Sequence, residues 1–299
     1  MGISVRGFAP RGAMGAAFAA VLVGGGAVAC GEGSGSDSGI EDSAELTPTA
    51  AMEKVAENSE DITSLRYRVT GTTSERGRLV AEASMKTEPT AMTMKFTLPD
   101  KAADAGVMEI RFVDKAIYVG GSAVDSEKLG GKSWLRAGAA VWGRGAADNN
   151  TYNVLPSQLE VSPVVQSRIL TGSKDVRRIG AETVDGTKTL HYRGTVTSRG
   201  LRAVQSAAEG DDTWDARTET VDQFVALGVD GALTVDLWVD GDDHAERFRM
   251  RGRTYPTRAA TDGGSLDLTV TFLDVNGPVT VETPPAGDTS VPSPDAQEG

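Results

Sequence analysis

Apolar and polar residues alternate strictly in many short segments of this chain, and that period of two restricts the fold more than any other feature. At residues 92–98 an apolar side chain occupies every second position. A strand with one dry face and one wet face has this period. The same alternation occurs at residues 65–70, 108–112, 190–196, 233–239, 248–250 and 266–272.

Short turns join these segments. Asp114-Lys115 precedes a further apolar run at residues 116–119, and Asp185-Gly186 is typical of a hairpin turn. Tight turns between successive strands predict an antiparallel sheet.

Helical spacing is confined to a few places. Apolar residues recur every three or four positions at residues 47–59, 199–208 and 218–227. Residues 155–170 predict one or two helical turns, a break at Pro163 and then a helix. Strands outnumber helices, and amphipathic helices can cover their dry faces from one side. The sequence therefore predicts an α+β fold, a curved antiparallel sheet with helices on its concave face.

Residues 1–29 have the pattern of a secretory signal peptide. Arg6 and Arg11 precede an apolar stretch at residues 13–23, and small residues follow it up to Cys30. The stretch is shorter than the run of about 20 apolar residues that a membrane-spanning helix needs.

The segment Ala27-Val28-Ala29-Cys30 resembles a bacterial lipobox, although that pattern usually has leucine where Ala27 stands. In the lipobox the signal is cut before the cysteine, and the thiol carries a diacylglycerol. The resemblance implies an acylated Cys30 on the extracytoplasmic face of the cell membrane. The alternatives are an ordinary signal cut after Ala29, which leaves a free thiol, or a buried structural cysteine.

Both ends differ in composition from the middle of the chain. Residues 30–45 are rich in Gly, Ser and acids, which predicts a flexible tether. Residues 284–299 are rich in Pro, Ser, Asp and Gly, which predicts a disordered tail. Residues 46–283 remain as a single domain.

Charge and cysteine content exclude several classes of protein. The chain has 30 basic and 42 acidic residues and a net charge of −12, which argues against nucleic-acid binding. An acidic chain does not adhere to anionic lipid by charge, so membrane attachment has to come from the lipid at Cys30. One cysteine cannot form a disulfide or a cysteine zinc site within the chain.

No catalytic pattern is evident in the sequence. His191 and His244 stand alone, without histidine or cysteine neighbours. Gly131-Lys132-Ser133 resembles the end of a phosphate-binding loop, but position 126 is serine instead of glycine and a strand pattern follows. We therefore expect no enzymatic activity and no cofactor.

Two charged groups allow alternative interpretations. The acids at residues 211–215 and 240–243 could hold calcium, but neither group matches the twelve-residue calcium loop, and acids in turns usually face water. Arginines at positions 247, 249, 251 and 253 lie on one strand face. Pairing with acids of neighbouring strands, such as Asp236, is favoured over an external phosphate or carboxylate.

Three local patterns follow the lipobox in order, at residues 183–194, 237–242 and 272–279. In this order they resemble the actinobacterial lipoproteins of the LppX/LprA/LprF/LprG group, which share the LolA-like half-barrel. The resemblance implies a cavity between sheet and helices that takes acyl chains of lipids or lipoglycans for carriage across the envelope.

The dry faces of the strands are rich in methionine and small residues, which could leave a deformable or unfilled interior. Close packing of the same side chains is the alternative. The candidate wall residues are Met94, Phe96, Ile110, Val165, Ile169, Val221, Phe224, Val235, Leu237 and Val270.

The resulting hypothesis is a non-catalytic, membrane-anchored lipoprotein that binds and transports lipids. The alternative is an interaction or sensor module that holds an envelope protein partner at the membrane. An enzyme would need a convergent group of polar residues, which the sequence does not indicate.

Overall fold

The computed structural model describes residues 46–73, 77–97, 106–139, 159, 162–256 and 261–291. The chain divides into two units, residues 1–35 and 36–299, and every described residue belongs to the second. The predicted signal peptide, Cys30 and the tether lie outside the described residues. Within these ranges, no helix combines the length and the apolar character that crossing a membrane requires.

The described residues form one sheet of twelve strands in the order β12-β6-β5-β4-β3-β2-β1-β11-β10-β9-β8-β7. All neighbouring pairs are antiparallel except β12 with β6. The strands are β1 Ser64–Thr73, β2 Gly77–Lys86, β3 Ala91–Thr97, β4 Val107–Val113, β5 Ala116–Gly120, β6 Trp134–Ala139, β7 Arg177–Val184, β8 Thr187–Thr197, β9 Val229–Val239, β10 Ala245–Thr254, β11 Gly264–Val275 and β12 Thr289–Ser290.

Burial along the strands follows the period of two. On β3, Met92, Met94 and Phe96 are buried. Lys95, which lies between Met94 and Phe96, and Thr97, which follows Phe96, are exposed. The register places Met94 beside Ala83 of β2 and Ile110 of β4, so apolar side chains of adjacent strands meet on one face. The alternation in the sequence therefore identified the dry face correctly.

Four α-helices are described: α1 Pro48–Asn58, α2 Pro163–Ser167, α3 Ser198–Ala207 and α4 Trp214–Ala226. The hydroxyl oxygen of Thr47 accepts a hydrogen bond from the backbone N–H of Ala50 at 3.2 Å and caps α1. Thr197 caps α3 in the same way. Buried residues of all four helices are in the same core cluster as the dry face of the sheet. The predicted α+β fold, with helices on the concave face of an antiparallel sheet, is confirmed.

Pro163 marks the start of a helix. It is the first residue of α2, where the missing N–H would have no helical partner in any case. The helix that the sequence predicts after the break is therefore confirmed as α2, and the helical turns predicted before Pro163 lie mostly outside the described residues.

The prediction of a disordered tail is wrong for residues 284–291. Ala286–Asp288 form a 3-10 helix, and β12 pairs with the edge strand β6. The side-chain amine of Lys132 donates to the carbonyl oxygen of Thr289 at 2.9 Å, and the backbone N–H of Ser133 donates to the Asp288 carboxylate at 2.9 Å. An edge strand with unpaired backbone groups provides partners that composition alone does not reveal. Residues 292–299 lie outside the described residues.

Gly71 should be essential for the pairing of β1 with β11. Its φ is +141°, and an added Cβ would lie 1.9 Å from the carbonyl oxygen of Asp267. We expect Gly71→Ala to lower the free energy of unfolding by about 2 kcal/mol or more, through backbone strain and steric overlap. Urea denaturation measures this change. The control is Gly180→Ala on β7, where no atom lies within 4 Å of the added Cβ. Equal stability of the two variants would contradict the explanation.

Candidate functional site

A cavity of about 310 Å³ lies where the helices meet the end of the sheet near the β2–β3 turn. Its lining residues come from the 3-10 helix Ser59–Asp61, from β2 and the turn after it, from α2 and from α4. We call it the amphipathic pocket, because its floor is apolar and its rim is polar. Its volume is at the lower end of the range of roughly 300–1,000 Å³ typical of ligand sites.

The floor of the amphipathic pocket is formed by Met85, Val164 and Val165, all of which are buried. Met85 and Val164 also belong to the main core cluster between sheet and helices. The floor is therefore continuous with the core, and an apolar group placed there would replace water with hydrocarbon contacts.

The rim is formed by Glu60, Glu88 and Thr90, which are exposed. Glu60 follows α1, whereas Glu88 and Thr90 belong to the β2–β3 turn. The hydroxyl of Thr90 donates to the carbonyl oxygen of Thr87 at 2.8 Å, which orders the turn. The lining thus combines exposed polar groups with buried apolar side chains, and it also includes the buried polar residues Ser59, Ser162 and Arg168.

Arg168 is a buried cation in the wall of the pocket, with 9% of its surface exposed. Its Nε donates to the hydroxyl of Ser59. Burial lowers the pKa of the guanidinium, and the nearby carboxylates of Glu60 and Glu219 oppose that shift. Arg168 also borders a cavity of about 50 Å³ next to α1 and α4, so its charge lies between two cavities.

The predicted wall residues are distributed unequally around these cavities. Val165 lines the amphipathic pocket. Val270 borders a third cavity of about 10 Å³ with Tyr67 and Gln166, a space of about one water molecule. The remaining eight are buried in the core cluster and line none of the three described cavities: Met94, Phe96, Ile110, Ile169, Val221, Phe224, Val235 and Leu237. Their role in ligand binding stays a prediction.

Sequence reasoning missed the polar residues of the pocket. Glu60, Glu88 and Arg168 are far apart in the chain, and no local pattern distinguishes them from ordinary surface charges. No group of three or more His, Cys, Asp or Glu side chains is positioned to hold a metal ion in the part of the chain that the structure describes.

The opposite face of the sheet carries a network of paired charges. Arg249 makes a bidentate pair with Asp267, with N–O distances of 2.7 and 2.6 Å. Arg251 donates to Asp236 at 2.7 Å. The prediction that the arginine row pairs with strand acids, Asp236 among them, is confirmed for these two arginines.

His191 is buried within this network, with 4% of its surface exposed. Its Nδ1 lies 2.8 Å from the Glu182 carboxylate and its Nε2 lies 2.7 Å from Asp236. The ring stacks on Trp238 with centroids 4.3 Å apart. These contacts join β7, β8 and β9, so they stabilise the sheet.

Asp236 is the centre of the network and is 1% exposed. Burial alone would raise the pKa of its carboxyl group, but hydrogen bonds from His191, Arg193 and Arg251 outweigh burial and hold the pKa well below its usual range. The carboxylate is therefore ionised at neutral pH.

Two curated Streptomyces proteins are similar to the chain. One, from Streptomyces griseus, is named an uncharacterized 31.2 kDa protein in the rplA-rplJ intergenic region; it is 30% identical over 204 residues, which cover 67% of the chain and 61% of that protein. The other, named a candidate lipoprotein of Streptomyces coelicolor, is 28% identical over 192 residues, which cover 61% of the chain and 50% of that protein. The chain thus spans less than two thirds of either relative. No protein-family model matches it.

Two solved structures are also similar to the chain. LprF from Mycobacterium bovis has a TM-score of 0.48 and 12% identity, covering 79% of the chain and 96% of LprF. The lipoprotein LppX from Mycobacterium tuberculosis has a TM-score of 0.46 and 16% identity, and the match covers 79% of the chain and 98% of LppX. The chain resembles LprF and LppX. Both names belong to the group that the sequence analysis indicated.

Replacement of Asp236 tests the charge network. Asp236→Ala leaves two guanidinium groups and a histidine without their shared acceptor, so we expect the free energy of unfolding at neutral pH to fall by about 3 kcal/mol. Because the native pKa is depressed, the wild-type contribution is present above the ordinary aspartate pKa of about 3.9 and is lost as pH falls toward the native value. The variant should lack this part of the acid dependence.

Chemical denaturation across the acid range measures both effects. The matched control is Asp230→Ala, an exposed aspartate on the same strand, β9. We expect a change of about 0.5 kcal/mol or less for the control. A loss for Asp236→Ala as small as that for the control would show that the network is not important for stability.

Proposed function

We propose that this chain is a non-catalytic lipoprotein of the cell envelope that binds the acyl chain of a lipid through the amphipathic pocket. The observation that carries the proposal is the continuity between the pocket floor at Met85 and Val164 and the hydrocarbon core behind it. The resemblance to LppX and the candidate lipoprotein of Streptomyces coelicolor supports it.

The free-energy gain comes from hydrocarbon that leaves water. Each methylene that is buried contributes about 0.8 kcal/mol. A pocket of about 310 Å³ receives the end of a chain, and deeper entry requires core side chains to move. Methionines at positions 85, 92 and 94 form much of the neighbouring dry face. Because methionine is unbranched and flexible, this lining can change shape at low cost.

Lipid transfer by such a protein is passive. A chain that moves from a bilayer into the pocket exchanges one apolar environment for another, so most of its burial is conserved. The protein only has to shorten the passage through water. In the proposal, a diacylglyceryl group on Cys30 holds the domain at the outer side of the cell membrane, and residues 30–45 give it freedom to move. Two acyl chains give stable attachment where one is marginal.

Closing the mouth of the pocket tests ligand binding. In Thr90→Trp, an indole ring replaces a small hydroxyl at the exposed rim, which should block entry without disturbing the core. We expect affinity for a fluorescent fatty acid to fall by about tenfold or more. The control, Thr97→Trp, adds the same ring at an exposed site on β3 outside the pocket lining.

Native mass spectrometry of gently purified protein provides a second measurement. Bound lipid in the wild type and in Thr97→Trp, but not in Thr90→Trp, would support the proposal. A ligand-free wild type that also takes up no fatty acid would contradict it and favour the alternative of an envelope interaction module.

Replacement of Cys30 tests the anchor. Cys30→Ala removes the thiol that would carry the diacylglycerol, so we expect most of the protein to pass from the membrane fraction to the medium. Immunoblots of both fractions, with metabolic labelling by a palmitate analogue, measure this. Ser34→Ala in the predicted tether is the control and should stay attached and labelled. Retention of unlabelled Cys30→Ala at the membrane would exclude the lipid anchor.

A further inference from the structure

The charges around the amphipathic pocket indicate the chemistry of the polar end of its ligand. Glu60, Glu88 and Glu219 reach the pocket from the 3-10 helix after α1, from the β2–β3 turn and from α4, and Arg168 is the basic residue of its lining. Three carboxylates against one guanidinium leave an excess of negative charge. These groups converge from three separate elements, as polar groups in a ligand site do.

We propose that the amphipathic pocket selects an amphiphile whose polar end is a positively charged amine. This inference rests on the proposed function, since it concerns the ligand of the same pocket. The amine would lie between Glu60 and Glu88 at the rim, and its alkyl chain would point toward the floor.

The depth of the lining residues supports this orientation. Glu60 and Glu88 are exposed, whereas Met85, Val164 and Val165 are buried. A charged head at the rim stays partly hydrated while its chain leaves water, so both ends are in favourable surroundings. Long amphipathic side chains adopt the same arrangement at protein surfaces.

Arg168 does not make the pocket a site for anions. Its Nε already donates to Ser59, and the charge of its guanidinium interacts with Glu60 and Glu219. An anionic head at the rim would lie close to carboxylates that outnumber the guanidinium, and like charges at short range repel. The local charge therefore favours an amine over a carboxylate or phosphate.

Three probes with the same chain separate the contribution of the head from that of the tail. Dodecylamine is cationic, dodecanoate is anionic and dodecyl glucoside is neutral. Calorimetric titration below the micellar concentration and at moderate salt measures their affinities for the full chain. We expect dodecylamine to bind about tenfold more tightly than dodecanoate, with the glucoside between them. Added salt should reduce the difference because the rim is exposed.

The acidic chain, with a net charge of −12, attracts any cation, so the test needs charge-matched variants. Glu60→Gln with Glu88→Gln should bring the ratio of affinities close to one. Glu88→Gln alone should also lower the ratio of affinities. Because this single variant keeps Glu60 beside Arg168, it remains informative if the double variant fails to fold. Glu209→Gln with Asp211→Asn removes the same charge at exposed positions between α3 and α4 and should leave the ratio unchanged.

The possible outcomes distinguish the two proposals. If no probe binds, or if Thr90→Trp weakens none of them, lipid binding at this pocket is wrong. If Thr90→Trp weakens all three probes but the wild type binds them equally, the pocket takes acyl chains and the amine inference is overturned. A preference for the amine that persists in the Glu60/Glu88 variant would also overturn it, since the selectivity would come from overall charge.

Discussion

The dry face of the twelve-stranded sheet must be kept from water, and this constraint determines the rest of the structure. Strands β1 to β5 and β8 to β11 present apolar side chains to that face, and buried residues of four helices pack against them in one cluster. Helices cover a wide sheet less evenly than a second sheet would, because each contributes only one apolar stripe. The amphipathic pocket lies where such cover meets the β2–β3 turn.

The wet face has a different requirement. Charged side chains that lie close together on a sheet need partners of opposite charge. Asp236 receives hydrogen bonds from two arginines and a histidine that belong to neighbouring strands. Removing any one donor would leave the buried Asp236 carboxylate with less compensation, and removing Asp236 would leave the buried His191 without one of its two carboxylate partners. The polar face is thus a second source of order across β7 to β10, and it explains why an acidic protein keeps a row of arginines on one strand.

Local patterns predicted most of the fold, whereas contacts distant in sequence were not predictable. The period of two located the buried residues of β3, and Thr47-Pro48 identified the start of α1, because both signals lie within a few residues. The pairing of β12 with β6 joins residues about 155 positions apart, which composition cannot indicate. The pocket was missed for the same reason. Its rim and Arg168 come together only when helices and sheet have packed, and the sequence offered candidate wall residues that mostly lie in the packed core.

A pocket whose floor is part of the core connects ligand binding with stability. A guest chain that enters beyond Met85 must displace side chains that otherwise pack against one another, so part of its burial energy offsets lost core contacts. A rigid floor would exclude the chain, and a floor too loose would weaken the empty protein. In the proposed function, methionine-rich packing would satisfy both requirements, since flexible thioethers would fill the space in the absence of a guest and would rearrange at modest cost on its entry. Because a ligand that binds only the folded state adds to its stability, the occupied protein should be the more stable form.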